Sequence, residues 1–219
     1  MKKLISILMS MILATSVLTG CGKKTTEKPV ETKQPEATQA VQEEKKEEVV
    51  TDLYADPIAF TIEMEDGGVM KGELYPHLAP ITVENFVKLA KEGFYTGLIF
   101  HRVIPGFMIQ GGGFDKDMNQ KPADSIKGEF ASNGVENELK HTRGVLSMAR
   151  TQVPDSASSQ FFIMHEDSPH LDGEYAAFGK VTEGLDIIDE IATTETTSAG
   201  MMQDIPVEPQ IIKSITIAE

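Results

Sequence analysis

The chain has 219 residues and a formal net charge of −14 at pH 7. Such acidity excludes nucleic acid as a partner, because gripping phosphate needs a basic face. It also disfavours electrostatic adhesion to anionic lipid, and the lone cysteine, Cys21, excludes an intrachain disulfide framework.

Met1-Lys2-Lys3 and the apolar run Leu4 to Leu18 have the pattern of a secretory leader, a basic start followed by a short hydrophobic stretch. The run is shorter than the roughly 18 residues of a spanning helix. It ends in Leu18-Thr19-Gly20-Cys21, which resembles the lipobox of bacterial lipoproteins. That resemblance implies a signal peptide over 1–20 and lipidation of Cys21, with palmitate among its acyl chains. From there to Asp52 the chain is Lys, Glu, Thr, Gln and Pro with few large apolar residues. It cannot offset the entropy of ordering, so 21–52 is expected to be a disordered tether. Residues 53–219 then form one domain of ordinary size. The charges before Leu53 cancel, so the whole negative balance belongs to this domain.

Ile58 to Met64 alternates apolar and polar residues as a half-buried strand does. Asp66-Gly67-Gly68 signals a turn, and Val69 to Leu74 returns as the second arm of a hairpin. Thr82 is the expected cap of a helix whose Val83, Phe86, Val87 and Ala90 recur at helical spacing up to Gly93. Strands follow at Leu98 to Val103 and Phe107 to Gln110. Asp115 to Lys140 reads as mostly loop. Further strands are expected at Gly144 to Ala149, Phe161 to Met164, Ala176 to Val181 and Ile211 to Ile217, with a helix over Leu185 to Ile191. Many short strands and two helices indicate a β-rich sandwich or barrel, and periodicity does not choose between them.

Three stretches carry the chemistry. Phe100 to Gly113 (FHRVIPGFMIQGGG) supplies Arg102, Phe107, Met108 and Gln110. Ser158 to Met164 (SSQFFIM) adds Gln160 and Phe162, and His170 to Val181 (HLDGEYAAFGKV) adds His170, Leu171 and Tyr175. One cation, several amides and a set of apolar side chains suit gripping a peptide, not hydrolysis or redox chemistry. His101, His141, His165 and His170 lack metal-ligand spacing. No Ser-His-Asp arrangement stands out, and Ser158 and Ser159 lack a G-x-S-x-G context. No lysine-bearing helix start follows Gly111-Gly112-Gly113, so it is no phosphate loop. Taken singly, Arg102 reads as a surface charge and the Phe and Met residues as core.

Together, in this order, the three stretches resemble the cyclophilin family of peptidyl-prolyl cis/trans isomerases, from about Pro57 to the C-terminus. The resemblance implies a mainly β fold, a closed eight-stranded antiparallel barrel capped by two α-helices. It implies no cofactor and no metal, and a monomer acting on proline-containing extended polypeptides. It makes Arg102, Gln110 and Phe107 catalytic, with Arg102 donating to the prolyl nitrogen of a twisted bond and Gln110 orienting it. Phe107, Met108, Phe162 and Leu171 would hold the proline ring. Ala149, Arg150 and Gln160 would line the groove, partly through backbone groups, beside Tyr175 and His170. Phe107 and Met108 are adjacent, so Pro105-Gly106 must bend the chain if both serve one pocket. Three positions depart from the best-known eukaryotic members, which carry tryptophan, histidine and asparagine where His170, Tyr175 and Arg150 stand. The missing tryptophan weakens the expectation of cyclosporin binding. With the leader, the expectation is a lipid-anchored, extracytoplasmic folding catalyst. A peptide-binding or adhesion module on the same fold is the alternative, and a solute-binding lipoprotein fits a single small domain less well.

Overall fold

The computed structural model describes residues 56–218. The leader, Cys21, the tether to Asp52 and the domain's first residue, Leu53, lie outside the described residues. The elements run β1 (Ile58–Met64), β2 (Val69–Leu74), α1 (Pro80–Lys91), β3 (Leu98–Ile104), β4 (Met108–Asp115), β5 (Val145–Met148), β6 (Phe161–Met164), β7 (Ala177–Glu183), α2 (Leu185–Ala192), β8 (Thr196–Ala199), β9 (Met202–Pro206) and β10 (Gln210–Ile217). Eight strands close into a barrel in the order β1-β10-β3-β4-β6-β5-β7-β2, every pair antiparallel. Closure leaves the barrel no unpaired edge for an extended peptide to extend.

Side-chain alternation sorts the residues into two apolar clusters. Phe100, Ile109, Leu146, Phe161 and Phe178 belong to the barrel core. Their neighbours Met108, Val145, Phe162 and Ala177 face the other way, into a separate cluster with Leu171, Phe107 and Tyr175 packed in or against it. The fold thus builds an apolar surface on the outside of one arc of the barrel.

Both helices turn an apolar stripe onto the core. Phe86 of α1 is fully buried and lies 5.2 to 6.3 Å, ring to ring, from Phe178, Tyr95, Phe161 and Phe60. Truncating such an aromatic costs about 3–5 kcal/mol. Ile188, Ile191 and Ala192 of α2 are buried in the same core.

The start of α1 differs from the sequence expectation. Thr82 does not cap it; the helix begins at Pro80 after Ala79, which has no side-chain acceptor to offer. Glu129, buried and 47 residues ahead of Thr82, does the work instead. Its carboxylate accepts the amides of Ile81 (3.1 Å) and Thr82 (2.7 Å) and the Thr82 hydroxyl (2.7 Å). A carboxylate there satisfies orphan amides and meets the positive end of the helix dipole. Asp115 to Lys140 is mostly loop as expected, with a short 3-10 turn at Ala131–Asn133. The hairpin of β8 and β9 has no counterpart in the sequence reading; it forms a separate two-stranded sheet.

Candidate active site

Arg102 reaches the outer apolar face through a β-bulge. Phe100 pairs with Gly111, and Arg102 pairs with Gln110, so two steps on β3 match one on β4. His101 is the extra residue. In a regular strand Arg102 would share the inward face with Phe100; one inserted residue reverses that. Arg102 then heads a row across the barrel in which Gln110 pairs with Phe162, Phe162 with Ser147 and Ser147 with Ala177. The sequence-expected cation, amide and aromatic ring are therefore neighbours on three adjacent strands.

The bend at Pro105-Gly106 is present and puts both following side chains at one cluster. Gly106 has φ +77°, a left-handed conformation that suits glycine, and the Phe107 amide closes the turn onto Ile104 O at 3.0 Å. Met108 is buried in the outer cluster and Phe107 packs against it. A clamp that the sequence did not announce holds this turn. The Gly106 amide donates to His165 Nδ1 at 3.0 Å, and the His165 amide donates to Phe107 O at 2.9 Å. Since Nδ1 accepts, the ring proton sits on Nε2, which faces Asp189 Oδ1 at 3.2 Å.

The remaining residues divide into ring surfaces and amide braces. Phe107 stacks on His170 at 5.8 Å, and Phe162 meets Tyr175 edge-on at 5.8 Å. Leu171 is buried in the same cluster. Gln110 Nε2 donates to Gln160 Oε1 at 3.1 Å. Gly113 makes room for this pair, since a β-carbon there would sit 2.4 Å from Gln160 Cγ. The Ala149 amide donates to Gln160 O at 3.0 Å. Arg150 is committed elsewhere: its guanidinium donates twice to Glu174 O, at 3.0 and 2.8 Å, and stacks on Phe130 and Tyr175.

The fold also assembles a Ser-His-Asp relay, against the sequence expectation that none stands out. His141 Nδ1 lies 3.1 Å from Asp172 Oδ1, and Nε2 lies 3.0 Å from Ser147 Oγ. Burial holds the His141 pKa below its usual value, against the opposing hydrogen bond and charge of Asp172. Partial burial pushes the Asp172 carboxyl up, but hydrogen bonds from the His141 amide and ring prevail and hold it low. The relay is no nucleophile site, because Ser147 is 0% exposed. The His141 ring is itself covered by Phe162, stacked at 6.1 Å. It satisfies buried polar groups beneath the apolar face and packs against the Phe162 ring.

His101 is buried against Phe114 at a ring separation of 4.7 Å, and its Nδ1 lacks a hydrogen-bond partner. Burial, then the adjacent Arg102 charge, lowers its pKa to about 4, against the opposing hydrogen bond of Ile99. Among the described residues no cluster of three or more His, Cys, Asp or Glu side chains could hold a metal ion.

Residues 59–217 match the model of the family described as cyclophilin type peptidyl-prolyl cis-trans isomerase/CLD. The chain belongs to this family. It is 51% identical over 156 residues to a peptidyl-prolyl cis-trans isomerase of Acinetobacter baylyi, covering 68% of this chain and 80% of that one. It is 50% identical over 150 residues to peptidyl-prolyl cis-trans isomerase B of Escherichia coli, covering 64% and 88%. A crystal structure of a Cryptosporidium parvum cyclophilin type isomerase, determined in the presence of the dipeptide Ala-Pro, superposes with a TM-score of 0.63. That protein is 32% identical, and the match covers 74% of this chain and 99% of that one.

Proposed function

We propose that this protein is a peptidyl-prolyl cis/trans isomerase whose site is the outer-face row headed by Arg102. The observation that carries the mechanism is the registration of Arg102, Gln110 and Phe162 on adjacent strands. Rotation about an X-Pro bond is slow because the nitrogen lone pair is delocalised into the carbonyl, with a barrier of roughly 18–20 kcal/mol for a peptide bond. A catalyst has only to bind the twisted bond better than either planar form. Twisting localises the lone pair on the prolyl nitrogen. A fixed donor there stabilises the twisted form selectively, and Arg102 supplies it. Phe107, Met108, Phe162 and Leu171 hold the proline ring. Gln110, braced by Gln160, orients the substrate backbone beside Arg102. Ala149, Arg150, Tyr175 and His170 line the groove. No step requires a nucleophile, cofactor or metal.

The same reading extends to the cell. The leader and Leu18-Thr19-Gly20-Cys21 support a mature chain lipidated at Cys21 and held outside the cytoplasm by the 21–52 tether. Its substrates there are secreted or surface polypeptides in extended form, and it acts on them as a monomer. The test is cis/trans exchange of a short X-Pro peptide followed by NMR. Accelerated exchange supports the enzyme; binding without acceleration identifies a peptide-binding module instead.

A further inference from the structure

The hairpin of β8 and β9 brings a carboxylate to the catalytic cation. Ile205 of β9 is 7% exposed and anchors the hairpin. Its neighbour Asp204 places Oδ2 3.6 Å from Arg102 Nε, an ion pair rather than a hydrogen bond. Asp204 has φ +60°, one of three non-glycine residues with positive φ among the described residues. Left-handed backbone costs free energy at any residue with a β-carbon, although aspartate tolerates it better than most.

Stability does not explain this arrangement. The Arg102 and Asp204 side chains are 42% and 37% exposed, and ion pairs so open to water contribute little to folding. The fold retains an unfavourable conformation at the residue facing the proposed donor. Gln110, opposite Arg102 in register, has its amide engaged by Gln160. The nearest approach of the carboxylate to the guanidinium is at Nε rather than at a terminal amino group. Arginine has several rotatable bonds, so a donor that acts only in one orientation gains from such a hold.

We propose that Asp204 is a positioning residue for Arg102, holding the Nε edge so that the terminal amino groups face the prolyl pocket. The proposal rests on the isomerase reading and adds to it a residue from outside the barrel. The test compares the full-length chain with Asp204→Ala and Asp204→Gly, each alone and with Arg102→Lys. Glycine relieves the backbone strain and alanine keeps it, so the pair separates strain from charge. Both single variants should lose about three- to tenfold in kcat/KM, mainly in kcat, with Tm little changed. Lysine has no Nε edge, so in that background the same substitutions should cost less than about twofold. Asp204→Ala should also shift the NMR resonance of the Arg102 Nε–H group, a readout independent of turnover. An active wild type whose Asp204 variants keep or gain activity overturns the proposal, as do losses that multiply undiminished with Arg102→Lys. An inactive wild type showing the resonance shift overturns the isomerase reading and leaves the Arg102–Asp204 contact standing. An unchanged resonance overturns the contact itself.

Discussion

His101 is the bulge residue that turns Arg102 outward, and the Arg102 charge in turn opposes protonation of the His101 ring. This pair has a consequence for acid stability. His101 has a folded-state pKa of about 4, below the ordinary 6.5, so the unfolded chain takes up the proton first as pH falls. Its contribution is complete above pH 6.5 and is lost progressively towards pH 4.

The loss should approach about 3 kcal/mol for His101 alone at pH 4, and about 2 kcal/mol of it should already be gone at pH 5. His141, also lowered by burial, adds in the same direction. Urea midpoints at pH 7 and pH 5 measure this. His101→Asn should show a smaller difference between the two pH values than the wild type, and an equal difference would remove His101 as the cause.

The Gly106 turn should depend on an acceptor at the position of His165 Nδ1. His165→Leu removes that acceptor and should lower kcat/KM about three- to tenfold, because Phe107 is no longer held at the pocket. His165→Asn places an oxygen near the Nδ1 position and should recover most of the loss. Equal activity in both variants would show that the clamp does not position Phe107.

The candidate site could be read because its residues are concentrated in three short stretches whose spacing strands preserve. The bend at Pro105-Gly106 could be inferred, since two adjacent apolar residues cannot otherwise reach one pocket. The bulge could not. Phe100 and Arg102 are two apart and read as one face, and only the partner strand reveals the extra residue. Glu129 at the start of α1 and the His141 relay are joined by contacts distant in sequence or buried from view. The β8–β9 hairpin gives no alternating signal, because all four residues of β8 are exposed. Asp204 lies in β9 beside two adjacent buried residues, Ile205 and Pro206, so no alternation marks it either.

Cyclosporin should inhibit weakly. His170 stacks on Phe107 where the family's best-known members carry tryptophan, and imidazole does not reproduce the reach of an indole N–H. His170→Trp should tighten inhibition in a dose-response assay. Tight inhibition of the wild type would show that position 170 does not govern the affinity.

The mature N-terminus should be Cys21, carrying acyl chains and fractionating with membranes. A single chain binds a bilayer only marginally, so two or more are expected. Cys21→Ala should leave an uncleaved or mislocalised precursor. Mass spectrometry showing a different N-terminus and no acyl mass on Cys21 would refute the anchor and leave the enzyme untouched.

The measurement that bears most directly on the mechanism is kcat/KM of Arg102→Ala on a prolyl peptide. One preorganised donor aimed at the twisted bond is worth roughly 2.7–4 kcal/mol, so the variant should lose about a hundred- to a thousandfold. Its urea midpoint at pH 7 should barely move, since this half-exposed side chain contributes little to folding. A variant that isomerises the peptide at near wild-type rate would contradict the account, because no other described cation heads the row of Gln110 and Phe162.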